Sequence, residues 1–150
     1  MVVYLDADAC PVKEETFRVA KRYALKVFVV SNVSLFLPKA DWILPVVTGK
    51  DFDAVDNWIA EKVEKNDLVI TNDILLAERC VHKEATAINP RGGIYDENNI
   101  GEAVSMRELM SELRQRGAMD LGPKKMGKNH KSNFLAALDQ VINKLRKATG

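Results

Sequence analysis

Short apolar runs alternate along the chain with longer stretches of helical periodicity. Val2-Val3-Tyr4-Leu5 is an apolar run stopped by Asp6, the length of a buried strand. Lys26 to Val30, Asp67 to Thr71 and Ala85 to Ile88 repeat that signature. Trp42 to Val47 carries Pro45, which cannot donate to a sheet ladder, so this run predicts an edge strand. Helical spacing of apolar residues covers 11–24, 53–65, 73–82, 100–116 and 133–148. Pro11 suits a first helical position, Gly117 a helix stop and Ser132 a cap for the last helix. Strands in alternation with helices predict one α/β domain with a central, mainly parallel sheet flanked by helices on both faces. In such sheets ligands sit beyond the carboxyl ends of the strands, so that edge is where chemistry is expected.

Composition narrows the class. The 150 residues fit one domain, and 47% apolar with 29% charged residues excludes disorder over the whole length. No run approaches the ~20 apolar residues of a membrane span. The opening MVVYLDADAC has no basic segment before its apolar run, so a signal peptide is not expected. Two cysteines, Cys10 and Cys80, fit a reducing cytoplasm, with packing or capping as their expected roles. The net charge of +1 hides an asymmetry. Residues 1–106 hold 12 Lys and Arg against 17 Asp and Glu, or −5, and residues 107–150 hold 10 against 4, or +6. A basic third of this kind suits a polyanionic partner, or is simply a solvated face. Residues 118–131 read as a basic loop before the last helix, carrying Lys124, Lys125, Lys128 and Lys131.

The strand ends carry the candidate chemistry. The first apolar run closes in Asp6-Ala7-Asp8-Ala9-Cys10-Pro11, and the fourth in Thr71-Asn72-Asp73. Asp51, Asp53 and Asp56 gather near a helix start between them. Ser31 and Asn32 end another run. Carboxylates collected in one cleft repel each other unless a cation is present, and oxygen ligands without histidine suit Mg²⁺ or Mn²⁺. Helix capping is the plainer reading of Asp53 or Asp73 taken alone. Arg91 in Asn89-Pro90-Arg91-Gly92-Gly93 suits a phosphate, or the segment is a simple turn. Lys13 stands close to the acidic motif and either offsets its charge or is solvated.

The string DADACPVK, from Asp6 to Lys13, resembles the signature of the YaiI/YqxD family, bacterial proteins of uncharacterised function. The resemblance continues through Ser31-Asn32, GKDFDAVDNWI, DLVITNDILLA, NPRGGIY, Asn99-Ile100, Gly122-Pro123 and FLAALD. Leu75 stands where the family often has proline, and His130-Lys131 where it commonly has an acidic–arginine pair. The family is usually grouped with PIN-like nuclease domains. The resemblance therefore implies a PIN-like fold and a metal-dependent nuclease. Its acids would be Asp6, Asp73 and Asp56, with Asp53 as a rival to the last and Asp8 as an extra carboxylate. The expected assignment follows. Asp6, Asp8 and Asp73 are catalytic; Asp6, Asp8, Asp56 and Asp73 hold Mg²⁺ or Mn²⁺. Lys13, Arg91, Lys124, Lys125, Lys128 and Lys131 bind phosphates of single-stranded RNA, and Ser31, Asn32, Thr71 and Asn72 are polar strand-end groups. Two alternatives stand beside it. Asp6-Ala7-Asp8 also begins the pattern of haloacid-dehalogenase-like phosphohydrolases, with Asp6 as nucleophile and Asp8 as acid/base. A non-catalytic RNA-binding protein is the other.

Overall fold

The computed structural model describes residues 1–9, 11–117 and 128–149. In chain order these form β1 (Val2–Asp6), a 3₁₀ turn (Ala7–Ala9), α1 (Lys13–Arg22), β2 (Lys26–Ser31), β3 (Ile43–Val47), α2 (Ala54–Lys62) and β4 (Leu68–Ile70). They continue through α3 (Ile74–Val81), β5 (Thr86–Ile88), β6 (Ile94–Tyr95), α4 (Ile100–Gln115) and α5 (Lys128–Thr149). One sheet runs in the order β3-β2-β1-β4-β5-β6. Its first five strands are parallel, and β6 adds antiparallel to β5.

The strands are apolar on both sides because both faces of the sheet are covered. Val3 and Leu5 of β1 pack with Val27, Val29, Leu68, Ile70 and Ile88 under α1 and α5. Tyr4, between Val3 and Leu5, points the other way, with Val30, Val69 and Ala87 beneath α2, α3 and α4. Phe134, Leu138 and Ile142 carry α5 across its face, spaced to line one side of a helix. Near the far end of α5 and the end of α1, the Tyr23 hydroxyl donates to Asp139, and the Arg146 guanidinium lies 5.4 Å from the Tyr23 ring centre. The α/β architecture is thus as the sequence predicts, with Pro45 on the edge strand β3.

Several boundaries move, each for a local reason. α1 begins at Lys13, not Pro11, because the Val12 carbonyl is the first acceptor, taking both the amide and the hydroxyl of Thr16. It stops at Arg22, where Ala24 turns to φ +55° and the Leu25 amide reaches back to the Ala20 carbonyl. α5 starts at Lys128, so residues 128–131 are helix and not loop. Ser132 is an exposed residue inside that helix rather than its cap, since serine on a solvated helical face is tolerated without capping anything. The rest of the expected basic loop, 118–127, lies outside the described residues, as does Cys10. The two-residue β6 is too short to leave a periodic signal.

The turn from β5 to β6 anchors α5 to the sheet edge. Asn89 Oδ1 accepts the amides of Arg91 and Gly93, and its Nδ2 donates to the Tyr95 hydroxyl. Gly92 takes φ +96°, and a Cβ there would stand 2.8 Å from the Asn133 carbonyl carbon and oxygen. Gly92→Ala therefore meets both left-handed strain and a backbone clash. It should cost about 2–4 kcal/mol in urea unfolding. A loss below about 0.5 kcal/mol would contradict this close approach.

Candidate functional site: an acidic strand edge

Register builds the site. Leu5 of β1 pairs with Ile70 of β4, so the next residues, Asp6 and Thr71, stand side by side. Thr71 Oγ1 donates to Asp6 Oδ2 at 2.7 Å. The same oxygen accepts the Asp73 amide at 3.0 Å, which commits the hydroxyl proton to Asp6. On the other side Asp6 pairs with Val30 of β2, placing Ser31 one step further out. The 3₁₀ turn then carries Asp8 to Ser31, whose Oγ donates to Asp8 Oδ1 at 2.7 Å and accepts the Val33 amide at 3.1 Å. Two strand-end hydroxyls thus each hold one acid and close one turn. Both hydroxyl residues are buried, and Asp6 itself is only 5% exposed.

Asp73 caps α3, accepting the Leu75 amide at 2.9 Å. Capping does not exhaust it. It also lies within electrostatic reach of Asp56 in the first turn of α2. Partial burial and then the Asp73 and Asp6 charges push the Asp56 carboxyl up to about 6, while Arg79 pulls it down. Burial likewise raises Asp6 above the usual carboxylate range. The Thr71 hydroxyl opposes that rise, and the charges of Asp8 and Asp73 add to it. Four carboxylates from the ends of β1 and β4 and the start of α2 therefore feel one another. Asp53, the rival of Asp56, is exposed and its side chain makes no cap bond.

Cations stand along the same edge. Lys13 opens α1 immediately after the acidic turn, and Arg91 lies in the loop leaving β5. The close approach of Gly92 to Asn133 brings the first turns of α5, with exposed Lys131, to that loop. Lys128 belongs to the same helix start; Lys124 and Lys125 lie outside the described residues. Asn32 is half-buried and Asn72 exposed, with no side-chain hydrogen bond among the described residues. Arg79 is a neighbour that the sequence does not mark: it donates to Asn57 Oδ1 at 2.9 Å and lies within electrostatic reach of Asp56. Only the packing of α3 on α2 brings it there, and no motif spacing signals that. Cys80 is fully buried, and burial pushes its thiol up to about 12, as suits a packing residue. Among the described residues no three His, Cys, Asp or Glu side chains are drawn together tightly enough to hold one ion. Clefts of about 260 and 370 Å³ lie elsewhere, one between β6 and α5 and one between the end of α1 and the start of β3.

Fold and site together define an α/β protein with an acid-lined edge at the carboxyl ends of its parallel strands. The chain belongs to the family described as "Uncharacterized BCR, YaiI/YqxD family", whose model matches residues 4–144. It is 46% identical over 145 residues to a UPF0178 protein of Gluconacetobacter diazotrophicus, covering 97% of this chain and 94% of that one. A UPF0178 protein of Rhodospirillum centenum is 45% identical over 149 residues, covering 97% of each. One of Nitrobacter winogradskyi is 44% identical over 146 residues, covering 97% of this chain and 93% of that one. No solved structure matches the chain. No helix among the described residues is long and apolar enough to cross a membrane.

The Asp56 shift has a sign that can be measured. A carboxyl whose folded value lies near 6, against an ordinary value of 3.8, takes up a proton on folding. Its contribution is therefore favourable below about 3.8 and is lost as pH rises towards about 6. Asp56→Asn removes that loss. Without divalent metal, its advantage over the parent should grow across this interval and reach about 1 kcal/mol at neutral pH, after allowance for solvent screening. Urea unfolding of both chains across the interval reads it; a pH-independent difference would contradict the shared field.

Proposed function

We propose that this chain is a divalent-metal-dependent nuclease of PIN type that cleaves single-stranded RNA. The observation that carries the reading is the convergence of Asp6, Asp8, Asp56 and Asp73 on one strand edge, where burial and mutual repulsion raise Asp56 and Asp6. Charges assembled against their own repulsion are what a bound cation would offset. The donor set fits Mg²⁺ or Mn²⁺: all ligands are carboxylate oxygens, and Mg²⁺ needs only one or two carboxylates, completing its shell with water and substrate phosphate. Asp6 and Asp73, with Asp56 and Asp8 beside them, are the residues that would hold it. When bound, such an ion acidifies a water and stabilises the charge of the leaving oxygen.

The remaining work falls to the chain. Thr71 keeps Asp6 in one orientation and, through the Asp73 amide, fixes the start of α3, so the two acids hold their relation without substrate. Asp6 accepts from the Thr71 hydroxyl through Oδ2, which leaves acceptor capacity on its carboxylate for a ligand. Lys13, Arg91 and Lys131 offer positive charge to a phosphodiester lying along the edge. Exposed Phe52, Asn72 and Leu75 leave this edge open, which favours a polymer over a small enclosed phosphomonoester.

Purified protein with Mn²⁺ should cut single-stranded RNA. Asp6→Asn should lower cleavage at least about 100-fold while keeping or increasing RNA affinity, because one repulsive charge is gone. Lys124→Ala with Lys125→Ala should weaken binding and flatten the salt dependence by about 0.7 for each phosphate no longer neutralised, without abolishing cleavage at saturating RNA. If no RNA or DNA is cut and Asp6→Asn binds as the parent does, the reading fails. Release of phosphate from small phosphomonoesters through an aspartyl-phosphate on Asp6 would assign the phosphohydrolase chemistry instead.

A further inference from the structure

Seven large apolar side chains are exposed among the described residues, and five of them lie on segments at or following the carboxyl ends of strands. Val33 and Phe36 lie on the connection leaving β2, Val47 ends β3, Phe52 precedes α2 and Leu75 opens α3. The connections that carry Asp8's partner Ser31, Asp56 and Asp73 therefore also carry exposed hydrophobic groups. Phe36 and Phe52 are extreme, at 103% and 104% exposure. Every other aromatic ring has a partner or is buried. Tyr4, Phe28 and Trp58 form one cluster, and Phe17 meets Trp42 edge-on. Tyr23 and Tyr95 use their hydroxyls, and Phe134 is fully buried. Local folding does not need the exposed pair. Leu35 and Leu37 pack on the core while Phe36 between them faces water, where any polar residue would serve.

We infer that Phe52 and Phe36 are base-stacking platforms that hold a single-stranded nucleic acid across the acidic edge. This rests on the nuclease reading for its choice of ligand. Exposed polar residues stand near each ring in the chain, Asp51 and Asp53 beside Phe52 and Ser34 and Lys39 near Phe36, so neither ring lies in a run of exposed apolar residues. One exposed ring face is what a single unpaired base requires. A cation is near each ring despite the acids beside Phe52: Lys50 lies two residues before Phe52 and Lys39 three after Phe36, both exposed and in no ion pair among the described residues. A ring for the base with a lysine nearby for its phosphate is a recurrent arrangement for single strands, and stacking makes it tolerant of sequence. In a duplex the bases are already stacked on one another and leave no face for either ring.

The test is strand binding in EDTA, where no cleavage intervenes, read by anisotropy of a labelled RNA of about 12 nucleotides. Phe52→Ala and Phe36→Ala should each weaken binding about 5- to 100-fold, with the salt slope unchanged. Phe52→Trp should keep the affinity. An abasic strand of equal length, and the duplex, should bind the parent and the double Ala variant alike. The inference is overturned if the parent binds no single strand, if the Ala variants bind it as the parent does, or if their loss is equal on the abasic strand. It is also overturned if the Phe changes turn a dimer into a monomer in sedimentation while strand binding stays constant. Phe-dependent binding by a parent that cuts nothing with Mn²⁺ would sink the nuclease reading and leave the platforms standing. Cleavage with Phe-independent binding would do the reverse.

Discussion

The site depends on two hydroxyl-to-carboxylate hydrogen bonds at the ends of adjacent parallel strands. Thr71 to Asp6 and Ser31 to Asp8 are each 2.7 Å long, and each hydroxyl also accepts a backbone amide of its own turn. Acceptance of the amide directs the hydroxyl proton at the acid. At Asp6 this bond stabilises the charged form in a place where burial opposes that form. One register therefore settles several things at once. It brings the acids together, orients them and starts α3 where Asp73 lies within electrostatic reach of Asp56.

The helices on the α1 and α5 face bring the opposite charge to the same edge. α5 buries Phe134, Ala137, Leu138, Val141 and Ile142 against the sheet, and Gly92 touches its backbone at Asn133. This close approach sets where the basic start of the helix lies relative to Arg91. Asp139, with Tyr23 and Arg146, steadies the far half of α5 against α1. The acidic body and basic third are thus joined at one edge by packing rather than by ion pairing, since the salt bridges among the described residues lie away from it.

The α/β class is legible in the sequence because both periods are clean: Val2 to Leu5 and Leu68 to Ile70 are continuous apolar runs, and α5 shows its helical stripe plainly. Asp6, Asp8 and Asp73 can be nominated from the rule that chemistry gathers at strand ends. Ser31 and Thr71 read only as polar strand-end groups. Their function as hydroxyl donors emerges from register, which sequence does not state. The electrostatic coupling of Asp56 with Asp73 is equally hidden, because it needs α2 and α3 to lie side by side, and the same packing introduces Arg79. Pro11 and Ser132 mislead for one reason. Each is a permitted helix-start residue, and a permitted residue does not oblige the helix to begin there. The exposed phenylalanines leave no sequence signal because DFDAV and SLFLP read as ordinary mixed segments until burial separates the ring that packs from the ring that does not.

The central claim is that four aspartates share one electrostatic site able to take a divalent cation. Carboxyl carbon chemical shifts followed by NMR across the acid range, with and without Mg²⁺, test it most directly. Without metal, Asp56 should titrate near 6 and Asp6 above the usual carboxylate range, with each responding to the other. Mg²⁺ should lower both and shift the Asp73 resonance with them. Titration of Asp56 and Asp6 as isolated, ordinary acids, indifferent to Mg²⁺, would contradict the account.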